Sequence, residues 1–569
     1  MGSRVPDSDP QTPTARGFGG RIRRAVARLP GYFSAMVARA KSSLDAQASV
    51  FARALDARDA RFDGIFFVGI TSTRIYCRPV CPARVAYHSH RRFFASAAAA
   101  EHAGFRPCLR CRPELAPGRA VVDAIPRIAR AAEQRIAAGA LNGHSVAELA
   151  REMGLSERHL RRALDRALGI SPVKLAQTHR LLFAKRLLAD TALPVTQVAF
   201  ASGFQSLRRF NAAFREQYRI PPSAVRRSPR PAAGAASGPA QPSQQFVRLT
   251  LAYRAPFAWD VLVSCLAGEA IGGVEVLDGR RYGRTIEIAG RTGAIFAEDA
   301  PNASGQPGAA HVSIDVSSSL VPVLMPLLAK LRQLFDLDAE PLAIDAHLSQ
   351  SGLASLVATH PGVRIPGAVD GFDIALRAIL RGRARMSRTV VIECGGASSA
   401  DPAARVTWAL GSPIDTGVPA LARLSPTAAQ IADAGAARIQ ELGVSAGRAQ
   451  AAIALARLVA DGALRLDPGG DVAAASRALA TVPGVGEQLT AMLVSRALRW
   501  PDVLPTSDKT LQRAAGVPSQ ATLLRLSQRW RPWRAYAALH LWLRDDAQLC
   551  ESTAVAARRA VAPRAAIAI

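Results

Sequence analysis

Two stretches of the chain share one pattern of apolar and polar positions. In residues 145–169, Val146, Leu149, Ala150, Met153 and Leu155 fall on one helical face. Gly154 breaks the run, and Ser156 stands where the N-cap of the next helix belongs. The pattern returns over residues 194–216, with Gly203 at the break and Ser206 at the cap. An apolar segment over 172–189 predicts a long helix joining them. Alternation over Phe246–Tyr253 predicts a strand, and Val274–Leu277, Tyr282–Ile288 and Ala310–Val316 predict three more. Phe257–Leu266 and Leu320–Phe335 predict helices, and helical periodicity dominates from residue 347. Upstream, 51–61 predicts a short helix. Ile65–Ile70 predicts a strand that runs on through Arg74-Ile75-Tyr76, Phe93-Phe94 supplies core, and 96–103 predicts a helix closed by Gly104. A connecting helix is expected over 121–141.

Between these lie stretches without periodicity. Residues 1–20 and 551–569 read as disordered or frayed ends, Arg21–Arg39 as a solvated basic arm, and 228–245 (SPRPAAGAASGPAQPSQQ) as a tether. Met36 offers a second possible start. The expected division is an arm over 1–50, a small metal module over 51–118, an all-α domain over 119–227, the tether, an α+β layer over 246–346 and an all-α domain over 347–550. The fold class is therefore multidomain α+β.

Composition narrows the class. The 569 residues carry a formal charge of +28 and a pI near 11.2, which points first to nucleic acid. No apolar run reaches the length of a membrane span; Val261–Leu277 comes nearest, and Glu269 and Glu275 interrupt it. Seven cysteines, four of them clustered, fit a reducing cytoplasm and a metal site rather than a disulfide framework. Cys265, Cys394 and Cys550 stand alone and read as ordinary thiols.

The cluster is Cys77 and Cys81, then 26 intervening residues, then Cys108 and Cys111. Thiolates at such spacings suit tetrahedral zinc. Arg74, Arg78, Arg84, Arg106, Arg110 and Arg112 crowd both knuckles, where they offset thiolate charge and can approach phosphates. The spacing leaves two readings open: an inert zinc knuckle, or a zinc site with one reactive sulfur. The surrounding sequence, FDGIFFVGITSTRIYCRPVCPAR and FFASAAAAEHAGFRPCLRCRP, resembles the metal-binding domain of the Ada family of alkylation-response proteins. That resemblance implies one zinc ion on Cys77, Cys81, Cys108 and Cys111. It further implies that Cys77 accepts a methyl group from a methylphosphotriester in DNA.

The paired helical pattern is helix-turn-helix grammar. Arg158, Arg161 and Arg162 lie on the second helix of the first copy, and Arg208 and Arg209 on that of the second, as candidate DNA contacts. ASGFQSLRRFNAAFREQYRIPPSAVRR resembles the AraC-type DNA-binding domain.

Downstream, Pro483-Gly484-Val485-Gly486 between two helical patterns reads as a helix-hairpin-helix turn. Its backbone N–H groups would meet a DNA phosphate, with a bridging monovalent cation as a further candidate. By itself the turn signals binding, not chemistry. Asp508 lies about 20 residues beyond the hairpin, where a catalytic carboxylate is expected, although N-capping is the commonest use of such a residue. PGVRIPGAVDGFDIALRAIL, ELGVSAGRAQAAIALA, LRQLFDLDAEP and RWRPWRAYAALHLW extend a resemblance to the AlkA-type 3-methyladenine DNA glycosylases over nearly the whole second half. It implies a TATA-binding-protein-like α+β domain and then a helix-hairpin-helix glycosylase domain. It also implies base flipping, stacking on Trp542, and hydrolysis assisted by Asp508. The hairpin carries no lysine, so a monofunctional glycosylase is expected.

The sequence departs from that family at three places. Gln488 and Met492 stand where pocket aromatics are usual, and Arg381–Arg385 replaces the segment that carries the wedge residue. The expectation is an alkylation-repair glycosylase fused to a methyl acceptor and transcription regulator. The alternative is a methylation-triggered activator with a weakened or inactive glycosylase half. The resemblances imply double-stranded DNA as partner, both alkylated and at promoters, RNA polymerase as an activator's second partner, and no membrane. They place a monomer in the bacterial cytoplasm, associated with the nucleoid. The Pro-Cys-His-Arg motif of the O6-methylguanine-accepting domain does not occur.

Overall fold

The computed structural model describes residues 48–117, 127–225, 246–300, 310–382 and 401–545. The basic arm, the tether, Arg383-Ala384-Arg385, Cys394, Cys550, the tail and the start of the connecting helix lie outside the described residues. Residues up to Asp59 form a unit of their own, whose described part is one helix, α1, over 48–56.

From Ala60 onward the chain is a second unit. It opens with four short strands: β1 (Phe67–Ile70), β2 (Ile75–Cys77), β3 (Arg91–Phe94) and β4 (Arg106–Pro107). The sheet order is β3-β1-β2-β4. β1 pairs antiparallel with β2 and β3, and β2 runs parallel to β4. Helix α2 (Ala97–His102) is capped by Ser96, whose hydroxyl accepts from Ala99 N. It ends at Gly104, which adopts φ +85°. The small core holds Phe67, Tyr76, Ala100 and Phe105.

Six helices follow: α3 (Arg127–Ala137), α4 (Val146–Glu152), α5 (Glu157–Leu168), α6 (Pro172–Asp190), α7 (Val195–Ala201) and α8 (Leu207–Tyr218). Ser145 and Glu148 close a capping box on α4, and Ser156 and Ser206 cap α5 and α8. Both turns use a glycine with positive φ, Gly154 at +67° and Gly203 at +86°. Helix α6 is buried on most of its surface, as a helix packed on all sides must be.

The next layer holds β5 (Phe246–Ala252), α9 (Trp259–Ala267), β6 (Glu275–Asp278), β7 (Arg281–Ile288), β8 (Arg291–Ala300), β9 (His311–Ser317) and α10 (Leu324–Leu334). The five-stranded sheet has the order β5-β9-β8-β7-β6 and every neighbouring pair is antiparallel. Strand β8 is absent from the sequence reading. It follows β7 across a two-residue turn, Ala289 (φ +49°) and Gly290 (φ +71°), a geometry usually signalled by Asn-Gly. The helix expected over Leu320–Phe335 also divides. Ser318–Val323, which contains Pro322, is a 3-10 segment, and the α-helix starts at Leu324. One continuous core runs from Leu181, Val198 and Phe210 of the helical part into Leu249, Ile314 and Leu324 of this layer.

The rest is helical: α11 (Pro341–Leu348), α12 (Ala354–Thr359), α13 (Gly371–Arg381), α14 (Pro402–Leu410), α15 (Ala428–Glu441), α16 (Ala446–Ala460), α17 (Val472–Leu479), α18 (Glu487–Arg496), α19 (Lys509–Ala514), α20 (Gln520–Ser527) and α21, over 534–545. Two cores hold it, one around Ile379, Ile453 and Leu493, the other around Trp530, Trp533 and Leu539. No described helix is long and apolar enough to cross a membrane.

Candidate functional sites

Strand β2 ends on Cys77. β4 runs beside it and hands the chain to Cys108, whose N–H donates to Tyr76 O at 3.0 Å. The two knuckles thereby face each other. The sulfurs of Cys77, Cys81, Cys108 and Cys111 all lie within 4.8 Å of one another, a span that suits four thiolates around one tetrahedral zinc. Cys81, Cys108 and Cys111 are buried, whereas Cys77 is half-buried. Of the arginines crowding the site, Arg78 is not available to DNA. It is 5 % exposed, donates to both Asp63 carboxylate oxygens and to Cys111 O, and its backbone N–H points at Cys111 Sγ. Arg112 is also engaged, with Asp190 at 2.7 Å and Glu114 at 3.1 Å. Arg74, Arg84 and Arg110 are exposed.

A polar seam joins this module to α6. Glu101 accepts from Tyr76 Oη (3.0 Å) and Thr178 Oγ1 (2.8 Å). Burial pushes its carboxyl up to about 7, against the pull of those two donors and of Lys185. Lys185 Nζ lies 2.7 Å from Glu114, both side chains 3 % exposed or less. Sequence reasoning missed this seam, because its partners are 71 and 77 residues apart.

On α5, Leu160, Leu164 and Leu168 face the core while Arg158, Arg161 and Arg162 are exposed. Arg208 and Arg209 are exposed at the start of α8. Arg161 is partly neutralised by Glu157, to which its Nε donates at 2.8 Å.

Between α17 and α18 the chain turns at Pro483-Gly484-Val485-Gly486. Gly484 adopts φ +75°, and no atom lies within 4 Å of where a Cβ on either glycine would stand. Gly486 is the N-cap of α18, so the first amides of that helix are free to meet a phosphate. Thr506 N–H and Oγ1–H donate to Glu487 Oε1, tying the loop before Asp508 to the start of α18.

Asp508 is 5 % exposed and caps α19. Its Oδ1 accepts from Thr510 N and Leu511 N at 2.7 and 3.3 Å. Its Oδ2 accepts from Gln488 Nε2 at 2.7 Å and Trp542 Nε1 at 3.0 Å. Asp508 is thus an N-cap, and it also gathers two side chains from α18 and α21. Trp542, expected as a stacking surface, is 4 % exposed; its indole N–H is committed to Asp508. Two departures take on new meaning. Met492 is core, packed with Leu489 and Leu493. Arg381 donates to Asp401 and to the carbonyls of Glu269 and Ala270, which fixes it inside the fold. Sequence reading saw Gln488 only as a missing aromatic; the structure makes it a partner of Asp508.

Three family descriptions match the chain: the metal binding domain of Ada over residues 51–114, a helix-turn-helix domain over 149–228, and the AlkA N-terminal domain over 248–370. A Mycobacterium tuberculosis protein described as a probable bifunctional transcriptional activator/DNA repair enzyme AlkA is 36 % identical over 495 residues, 86 % of this chain and 95 % of that one. The chain belongs to this bifunctional AlkA family. Its two halves have separate relatives. DNA-3-methyladenine glycosylase 2 of Escherichia coli is 30 % identical over 52 % of this chain and 98 % of its own length. The Escherichia coli bifunctional transcriptional activator/DNA repair enzyme Ada is 36 % identical over 24 % of this chain and 36 % of its own. The four cysteines thus fall inside the Ada-like part of a bifunctional AlkA protein, and the hairpin and Asp508 inside the glycosylase-like part.

Proposed function

We propose that the chain excises alkylated purines of the 3-methyladenine type from double-stranded DNA, with Asp508 as the catalytic carboxylate. The observation that carries this reading is the place of Asp508: buried, one loop beyond a hairpin open to phosphate, and tied to it through Thr506 and Glu487. Alkylation at a ring nitrogen makes the base a cationic leaving group. The hairpin holds the backbone of the lesion strand, and the nucleotide is turned out of the stack. The C1′–N bond breaks with its electron pair going to the base, which leaves as a neutral molecule. Asp508 is a fixed negative charge opposite the oxocarbenium-like sugar. Its four N–H donors occupy all the acceptor sites a carboxylate offers, so its role is electrostatic. Water adds at C1′ and sheds its proton to solvent. The hairpin and its second helix, residues 480–496, contain no lysine, and Lys509, next to Asp508, donates to Gln512, so no covalent amine intermediate forms and the backbone strand stays intact. The carbonyls of the hairpin turn at Pro483-Gly484-Val485-Gly486 would hold a monovalent cation, which would supply positive charge toward the phosphate.

A second activity is favoured by the four gathered sulfurs, with Cys77 the least buried of the four residues that carry them. Cys77, Cys81, Cys108 and Cys111 hold one zinc ion, which keeps the sulfurs as thiolates. Cys77 Sγ attacks the methyl carbon of a methylphosphotriester. The S–C bond forms, the C–O bond breaks, and the phosphate leaves as an ordinary diester anion. The site loses one negative charge, and attraction to DNA rises. The helix-turn-helix pair, with Arg158, Arg161, Arg162, Arg208 and Arg209, then holds a promoter as a monomer within reach of RNA polymerase. Incubating the full chain with methylated duplex tests both parts. One methyl on the Cys77 peptide by mass spectrometry, with free 3-methyladenine in the supernatant, is the expected result. An adduct on another cysteine, or none, overturns the Cys77 assignment.

A further inference from the structure

Gln488 is the second residue of α18 and is half-buried. Its amide nitrogen is 2.7 Å from Asp508 Oδ2. A carboxylate only accepts, so this contact sets the amide's orientation: the NH2 group faces Asp508, and the carbonyl oxygen is the end left over. Among the described residues that oxygen has no hydrogen-bond partner, and it is not among the buried, unsatisfied atoms. Asp508 therefore carries beside it one oriented, solvent-reachable acceptor.

We infer that Gln488 is a specificity-determining residue, whose carbonyl oxygen accepts a hydrogen bond from the exocyclic 6-amino group of an extruded alkylated adenine. The inference rests on the reading of Asp508 as the catalytic carboxylate. Its chemistry is selective twice over. In a ring-alkylated adenine the positive charge spreads onto the exocyclic amine, which makes its N–H a stronger donor than that of undamaged adenine. A guanine presents a 6-oxo acceptor in the same place, and two acceptors facing each other repel. Gln488 thus favours alkylated over intact adenine, and alkylated adenine over alkylated guanine. The hydrogen bond to Asp508 is what keeps the amide from turning its NH2 group to the base.

The test compares excision of 3-methyladenine and 7-methylguanine from methylated duplex by the full chain and by Gln488→Met, which keeps length and removes both polar groups. Gln488→Asn, which keeps the amide on a shorter stem, is the second variant. The expected result is a fall of roughly tenfold or more in the 3-methyladenine to 7-methylguanine ratio for Gln488→Met, with Gln488→Asn retaining part of the preference. Where 7-methylguanine release is too low to measure in the intact chain, the ratio is taken against hypoxanthine, a second 6-oxo base, with the same roughly tenfold fall expected. An equal loss on both bases, or a change within twofold, overturns the inference and leaves Gln488 a strut of Asp508. Failure of the underlying reading looks different: the intact chain then releases no 3-methyladenine at all.

Discussion

Thr178, midway along the long helix α6, donates its hydroxyl hydrogen bond at 2.8 Å to Glu101 of the zinc module. The other oxygen of that carboxylate accepts from Tyr76, the neighbour of Cys77. Sensor and reader are thus joined by a carboxylate rather than by apolar packing alone. Glu101 is faced by Tyr76 from β2, by Thr178 and Lys185 from α6, by Glu114 from the turn after Cys111, and by Tyr218 of α8. Burial, the largest influence, raises its carboxyl to about 7. A raised carboxyl binds its proton more tightly in the folded state. Its stabilising contribution is therefore complete below about pH 4.3, the ordinary glutamate value, and is lost as pH rises through about 7. Thermal melts of the full chain between pH 5 and 8 should show this decline, and Glu101→Gln should flatten it. An unchanged pH slope in the variant would show that the seam does not titrate.

Lys185 and Glu114 form the seam's enclosed ion pair. Removing Lys185 leaves the buried Glu114 with Arg112, 3.1 Å away, as its remaining cation. Lys185→Met should lower stability by about 1–3 kcal/mol in denaturant melts, the cost of losing one charged hydrogen bond at a buried carboxylate. The double replacement Lys185→Met with Glu114→Leu should recover most of that loss, because Arg112 keeps Asp190 at 2.7 Å as its partner.

The exposed arginines divide by their partners. Arg162 and Arg208 are exposed with no carboxylate within salt-bridge distance among the described residues, whereas Arg161 shares its charge with Glu157. Replacing Arg162 or Arg208 by alanine should reduce the salt slope of promoter binding by about 0.9 for each phosphate left without its cation. Arg161→Ala should do less. Slopes from binding titrations at several salt concentrations measure this directly.

Gly484 and Gly486 serve the hairpin differently. Gly484 holds a left-handed conformation, so Gly484→Ala should cost roughly 1–2 kcal/mol of stability even with open space around it. Gly486 has φ −96°, which any residue adopts. Gly486→Ala should leave the melting temperature nearly unchanged yet weaken duplex binding about tenfold, because the methyl group stands where the phosphate approaches. Paired melting and binding measurements separate the two effects.

What the sequence disclosed follows from how local each signal is. Ser156, Ser206, Gly154, Gly203 and Gly104 act on residues three or four positions away, and their caps and turns stand where the pattern puts them. The knuckle cysteines meet because β2 and β4 are short neighbours. Strand β8 went unread because Ala289 occupies a turn position that usually calls for asparagine. Arg78 looked like a DNA contact, and only the fold shows Asp63 claiming it. Gln488 and Asp508 lie 20 residues apart on different helices. No periodicity reports that pairing, although each residue separately is plain in the chain.

Asp508→Asn removes the charge of Asp508 and keeps the cap of α19. Asparagine caps a helix as well as aspartate does, so Oδ1 still accepts from Thr510 and Leu511; the charge is lost, and the NH2 group in place of Oδ2 no longer accepts from Gln488 or Trp542. Release of 3-methyladenine from methylated duplex by the intact full-length chain and by this variant is the deciding measurement. The expected result is release by the intact chain and a fall in kcat of about 10²–10³ in the variant, with duplex affinity unchanged and a stability loss of about 1–3 kcal/mol from the Trp542 N–H left without its acceptor. No release from the intact chain, or equal release from both, would contradict the assignment.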